Sequence, residues 1–236
     1  MDPLDEKKIS EILEAKHAFL KAENFGEKKA LFAKAVSLYL PLLFDNDSAS
    51  HAAFEIGNFC ENMGQAALLQ PGCGEEAAIP FFQKAAAHYE KAASLQEIDR
   101  EFKPVARAHL ALAGLYISER IALEVGEERS KLVLFFVRKA DEAGLTEAAV
   151  TLADWQLQFK GANPSYWPML HWLKNKLKEK ERFSLEQQTK IAQGIAILAE
   201  SLQIAEIRMR LKAPVSRQLQ GRSVGESRSL PPPSPR

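Results

Sequence analysis

The sequence predicts an all-α protein, and the prediction rests on composition, periodicity and the positions of the helix breakers. Alanine, the best helix former, accounts for 34 of the 236 residues, while β-branched residues, which lose rotamer freedom in a helix, are sparse. Apolar residues recur near the 3.6-residue period, and proline and glycine cluster between the apolar stretches. Together these features predict about nine helices joined by short connections.

The first two helices are predicted from their ends. Asp2 and Pro3 make a good helix start, because aspartate suits the N-cap position and proline suits the first helical position. The apolar pattern continues to residues 24–26, and a second helix follows at about 27–40. Pro41 ends or kinks that helix, since a proline within a helix lacks the amide donor and clashes with the preceding turn.

The third helix follows an acidic stretch, residues 45–48. This stretch superficially resembles a calcium-binding loop, but Ser50 and Ile56 stand where such a loop needs glycine and glutamate. We interpret it as an N-cap cluster that opens a helix at about 49–63. After a break, the remaining helices are predicted at about 75–96, 102–125, 128–143, 146–160, 164–182 and 184–211.

Two short signatures recur along the chain. The first places Lys34, Lys84 and Lys139 at spacings of 50 and 55, within the segments 31–35, 81–85 and 136–140. The second combines a small residue with a large apolar one, in the segments 54–59, 112–116 and 152–155. A small residue beside a large one lets two helices approach closely. We expect stacked helix pairs in which Phe81 and Phe136 occupy equivalent buried positions.

These segments resemble the Sel1-like subfamily of tetratricopeptide-type repeats, whose helix pairs carry L-G-x-x-Y and W-Y-x-K-A-A elements. The best match is residues 135–155, FFVRKADEAGLTEAAVTLADW, and the next begins at Phe81 with FFQKAA. The repeats are degenerate, because their spacings are irregular and Asp154 stands where glycine is expected. Over residues 31–180 the resemblance implies a helix-hairpin solenoid of a scaffold protein, a class common in bacteria. An irregular helical bundle is the alternative.

The chain is expected to divide into a helical-repeat domain, residues 1–212, and a tail, residues 213–236. The last helix, 184–211, begins at a capping box, Ser184 to Gln187, and carries an apolar stripe at alternating spacings of four and three. We expect this helix to cap the open end of the stack; homodimerisation through the same stripe is the alternative. The tail has four arginines, one glutamate and five of the twelve prolines, a composition typical of disorder.

Charge and apolar content argue against several classes of protein. The 31 basic and 31 acidic residues give no net charge, whereas nucleic-acid-binding and polybasic membrane-surface proteins carry a basic excess. Two cysteines are too few for a disulfide framework, and the charged first thirty residues lack the apolar region of a signal peptide. The apolar runs are too short to span a bilayer. We expect a cytoplasmic protein without a nucleic-acid partner.

Motifs of the common catalytic sites are absent from the sequence. It contains no phosphate-binding glycine loop and no nucleophile elbow. His51 and Glu55 share a helix face and could supply two metal ligands, but we interpret them as a surface polar pair. Cys60 is expected to be a small buried apolar residue, and Cys73 the more accessible thiol. We expect no catalysis, metal or cofactor.

Aromatic and polar residues mark the candidate partner-binding positions. Trp155, Trp167 and Trp172 fall within eighteen positions, together with Tyr166. Such residues dominate interface hot spots, although they could equally form the core between hairpins. With the polar residues predicted for a concave surface, the candidates are Asn58, Glu61, Asn62, Arg107, Glu119, Arg120, Trp155, Tyr166 and Trp167.

The function that these features predict is a non-catalytic scaffold or adaptor. It would bind a protein or peptide segment on the surface of stacked helix pairs, by shape and polar complementarity. The alternative is a helical enzyme or ligand-binding bundle with a pocket lined by Trp155, Trp167 and Trp172.

Overall fold

The computed structural model describes residues 3–96, 98–123, 128–158 and 167–212. Within these ranges the protein has nine α-helices, two 3₁₀ segments and no strand, which confirms the predicted all-α class. The helices are α1 (Pro3–Lys21), α2 (Phe25–Tyr39), α3 (Ala49–Leu69), α4 (Gly74–Ala93), α5 (Pro104–Ile117), α6 (Arg129–Glu142), α7 (Ala148–Gln158), α8 (Trp167–Lys178) and α9 (Leu185–Lys212). The 3₁₀ segments are Leu40–Phe44 and Lys180–Arg182. The predicted tail, residues 213–236, lies outside the described residues.

Local sequence sets the start of α2 and of α9. Asn24 is the N-cap of α2, and its Oδ1 accepts a hydrogen bond of 2.9 Å from the backbone N–H of Glu27. Ser184 and Gln187 exchange two hydrogen bonds before α9: the backbone N–H of each donates to the side-chain oxygen of the other, at 2.9 and 3.3 Å. The predicted capping box is therefore confirmed.

Two helices end in the same hydrogen-bonded motif, although one end was predicted and the other was not. The N–H of Leu145 donates to the carbonyl of Ala140 at 2.9 Å, with Gly144 between them at a φ of 88°. At the end of α5, Glu119 holds the equivalent left-handed position at a φ of 60°. Because glutamate does not signal this turn, the prediction that this helix extends to residue 125 is wrong.

The end of α3 was also predicted wrongly. This helix runs to Leu69 instead of stopping at Met63. Gly64 lies inside it at a close interhelical contact, where an added Cβ would lie 2.8 Å from the Phe82 ring. Gly64 therefore allows α4 to pack closely against α3 and does not mark the end of α3.

The helices contact one another in chain order. Each helix from α1 to α8 contacts the next, α3 also contacts α5, and α7 packs principally against α9. Small residues allow the close approaches: a Cβ on Gly57 would lie 2.7 Å from the Tyr89 ring, and one on Gly194 would lie 2.7 Å from the Ala153 Cβ. The signature built on small residues therefore marks real interhelical contacts.

The buried side chains form two clusters that share α5. One face of α5 packs with α3 and α4, and its other face packs with α6 and α7. Phe136 contacts both clusters. Among the described residues, no helix is long and apolar enough to cross a membrane.

The three lysine-containing segments share one burial pattern. The lysines are exposed, and the alanines that follow them, Ala35, Ala85 and Ala140, are fully buried. The expectation that Phe81 and Phe136 are buried is wrong in degree, because both are only half-buried. The next residues, Phe82 and Val137, hold the deeper positions.

Candidate partner-binding groove

A groove of about 490 Å³ runs across three alternate helices. α3, α5 and α7 line it, together with the turn before α7, while α4 and α6 supply none of its lining residues. Its apolar part includes Phe54, Leu110 and Trp155, and its polar part includes Glu61, Arg107 and Glu147. The structure therefore brings three predicted site residues, Glu61, Arg107 and Trp155, into one surface.

Glu61 is a largely buried carboxylate at the edge of this groove. The Tyr89 hydroxyl donates a hydrogen bond of 2.7 Å to Glu61 Oε2. Burial raises the pKa of the Glu61 carboxyl, and the hydrogen bond from Tyr89 opposes part of this change. No lysine or arginine in the described part of the chain pairs with Glu61, so a cation in the groove would gain from its charge.

Arg107 is held at the groove by groups outside it. Its Nε donates a hydrogen bond of 2.6 Å to the carbonyl of Phe102, and its guanidinium lies 5.1 Å from the centre of the Phe102 ring. One terminal nitrogen lies 3.9 Å from Glu147 Oε1 across the groove. The Arg107–Glu147 pair is exposed to solvent and contributes little to stability, and both charged groups stay accessible at the groove surface.

Trp155 supplies the largest apolar side chain of the groove. Its ring lies against Gly114 on α5, where an added Cβ would lie 3.3 Å from the ring. Phe54 lies on α3 and packs against Tyr89, with ring centres 5.6 Å apart. An aromatic residue thus stands on each outer helix of the groove.

Two further candidates lie near a second groove. Asn62 lines a groove of about 370 Å³ between α3 and the start of α2, and Gln65 lines both grooves. The Asn62 side chain donates a hydrogen bond of 2.9 Å to the carbonyl of Asn58. Asn58 therefore positions Asn62 through its backbone and is not among the lining residues of the first groove.

The structure does not bring the other candidates to the main groove. Glu119 and Arg120 lie at the end of α5, where Arg120 stacks over Phe82 at 5.5 Å and Glu119 lies 3.9 Å from Arg129. Trp167 is 57% exposed at the start of α8. Tyr166 lies outside the described residues. Trp172 is 8% exposed and packs in the core, so it offers no surface to a ligand.

Sequence reasoning missed several lining residues that helical spacing could have identified. Glu147 and Thr151 precede Trp155 by two turns and one turn, and therefore share its helix face. Gln65 follows Glu61 by one turn in the same way. The interpretation of His51 and Glu55 as a surface pair is wrong, because the Glu55 side chain is 1% exposed.

The groove combines apolar, charged and buried polar side chains. It contains two aromatic side chains, Phe54 and Trp155, an exposed ion pair and a largely buried carboxylate. Within the described ranges, no group of three or more His, Cys, Asp or Glu residues could hold a metal ion. Comparison of the chain with protein-family models, curated proteins and solved structures found no match.

Proposed function

We propose that this protein is a non-catalytic scaffold or adaptor that binds an extended protein segment in the groove across α3, α5 and α7. The observation that carries the proposal is the joint lining of one groove by Trp155, Arg107 and Glu61 from three separate helices. Its volume, about 490 Å³, is within the range of ordinary binding pockets. Trp and Arg are also the residue types that dominate interface hot spots.

The helix order supports the repeat architecture that forms part of this proposal. Stacked helix pairs of the Sel1-like type would place alternate helices on one surface, and the groove is lined by alternate helices. The three matched burial patterns at Ala35, Ala85 and Ala140 support the same arrangement. Each pair would then add one strip of side chains to a continuous binding surface.

The lining residues suggest how a segment would be recognised. Trp155 would pack against an apolar or proline side chain, and Glu61 would attract a basic one. Arg107 and Glu147 would exchange their weak mutual contact for hydrogen bonds to the ligand. A tryptophan-lined catalytic pocket is less favoured, because Trp172 is buried and Trp167 lies outside the groove.

Selection of displayed peptides on the full chain tests the proposal. Peptides should bind the wild type and the Trp167→Ala variant, whereas Trp155→Ala should weaken their Kd by at least about tenfold, as for a hot-spot residue. Both substitutions remove a tryptophan side chain, but Trp155 lines the groove and Trp167 does not, so they form a matched pair. Glu147→Lys changes an exposed groove residue with little expected effect on folding, and should alter the charge preference of the selected peptides. Equal binding to all four proteins would refute the proposed function.

A further inference from the structure

The groove has a candidate occupant within the same chain. We propose that residues 213–236 bind in it, with the proline-rich residues 230–235 on Trp155 and neighbouring arginines at Glu61 and Glu147. The inference rests on the proposed function, since it concerns the same groove, and it adds an autoinhibitory segment to it. A protein partner would then have to displace this segment.

Charge complementarity is the first argument. Residues 213–236 contain four arginines and one glutamate. Because the whole chain has 31 basic and 31 acidic residues, residues 1–212 retain 27 basic and 30 acidic ones. The helical part and the segment therefore carry opposite net charges. Within the groove, Glu61 lacks a basic partner among the described residues, and Glu147 has only the 3.9 Å contact with Arg107.

The position and length of the segment are the second argument. α9 packs directly on α7, the helix that carries Trp155, where Gly194 meets Ala153. From Gly194 to Lys212 the helix extends about 27 Å at 1.5 Å per residue. The 24 residues that follow can span up to roughly 80 Å, so the segment is long enough to return to the groove.

The third argument is the match between proline and the aromatic lining. Residues 230–235 read Leu-Pro-Pro-Pro-Ser-Pro. Proline restricts φ to the polyproline II range, and segments with this preference bind in grooves lined by aromatic side chains. Trp155 and Phe54 supply such side chains on opposite walls. Arg228 and Arg236 flank the prolines in the sequence and supply the positive charges that the proposal pairs with the two carboxylates.

A spin label on the segment tests this contact in the full chain. The label is attached to a Ser234→Cys variant in which Cys73→Ser removes the accessible native thiol; Cys60 is buried and is not expected to react. The indole N–H signals of the three tryptophans are assigned from Trp→Phe variants. We expect loss of the Trp155 signal, while the signal of Trp167 keeps its intensity.

Three further full-chain variants complete the test: two should restore the signal, and the third is a control. Replacing Pro231, Pro232 and Pro233 by serine should restore the Trp155 signal, and Glu147→Gln should restore it in part. Glu142→Gln changes an exposed carboxylate on α6 and should leave the broadening unchanged. Equal broadening of Trp155 and Trp167, or broadening that survives the proline substitutions, overturns the inference.

Peptide binding separates this inference from the proposed function. If the segment occupies the groove at least half of the time, the triple proline variant should bind selected peptides at least about twofold more tightly than the wild type. Peptides that bind through Trp155 without any contact between groove and segment would leave the proposed function intact and remove the inference. Contact between the groove and the segment, without binding of any other peptide, would support the inference and refute the proposed function.

Discussion

Lys16 on α1 donates a hydrogen bond of 2.6 Å from Nζ to Oε1 of Glu55, whose side chain on α3 is fully buried. His51 Nε2 lies 3.7 Å from the same oxygen. The negative charge of Glu55 is therefore compensated mainly by a residue on a different helix, Lys16 of α1. This contact ties the first helix to the interior of the protein.

Loss of this lysine should destabilise the fold. We expect Lys16→Met to lower the free energy of unfolding by about 3 kcal/mol, because it leaves a buried carboxylate without its main partner. The double variant with Glu55→Gln should recover part of the loss. Lys139→Met is the control, since Lys139 and Glu142 form an exposed pair worth less than about 1 kcal/mol. Equal losses in urea unfolding for the two lysine variants would contradict the expectation.

Neighbouring phenylalanines on α4 should differ in their contribution to stability. Phe82 is fully buried, and Phe82→Ala should cost about 3 to 5 kcal/mol. Phe81 is half-buried, so Phe81→Ala should cost clearly less. Urea unfolding monitored by circular dichroism measures both. If Phe81→Ala costs as much as Phe82→Ala, the burial of these two positions is wrongly assigned.

Glu61 should make stability depend on pH. Burial raises its pKa in the folded protein, so the folded state holds this proton more tightly than the unfolded chain. The free energy of unfolding should therefore fall as the pH rises from about 4.3, the unfolded value, through the raised folded value. Glu61→Gln does not titrate and can still accept the hydrogen bond from Tyr89. It should gain stability relative to the wild type across this pH range.

The exposed Glu142 provides the control for this pH dependence. Glu142→Gln makes the same chemical change at an exposed carboxylate on α6. Urea midpoints measured from pH 4 to pH 8 test both variants. A constant difference between Glu61→Gln and the wild type over that range would show that Glu61 is not the titrating group.

The contact of α9 with α7 should not tolerate a side chain at residue 194. A Cβ there would lie 2.7 Å from the Ala153 Cβ and 2.8 Å from its Cα, so the helices would have to separate. We expect Gly194→Val to cost about 1 to 3 kcal/mol. Gln193→Val introduces the same residue at an exposed position and should change the melting temperature little. Similar melting temperatures for the two variants would place the contact elsewhere on α9.

The two cysteines should differ in reactivity. Cys60 is 2% exposed, and burial raises its pKa to about 11, an effect that the charge of Lys84 opposes in part. Cys73 is partly exposed between α3 and α4. Iodoacetamide should therefore modify Cys73 in the native protein and Cys60 only after unfolding. Mass spectrometry of the digested protein distinguishes the sites, and equal native rates would contradict the assigned burial.

Local sequence was sufficient where a few neighbouring residues set the structure. The helical fold class could be predicted from composition. The capping box at Ser184 and the turn at Gly144 could also be predicted, because each depends on hydrogen bonds between residues at most five positions apart. The helix end at Glu119 could not be predicted, because residues other than glycine rarely adopt a positive φ and glutamate gives no local signal of such a turn.

Tertiary structure decided which side chains share a surface. Helical spacing placed Glu61, Arg107 and Trp155 each on a helix face, but these faces meet only in the assembled helices, where Gly114 on α5 leaves room for the Trp155 ring of α7. Burial is likewise a property of the assembled helices: Glu55 reads as a surface residue beside His51, yet α1 covers it and supplies Lys16. Contacts between residues far apart in sequence have no local pattern, so the groove and the buried ion pair emerge only from the folded chain.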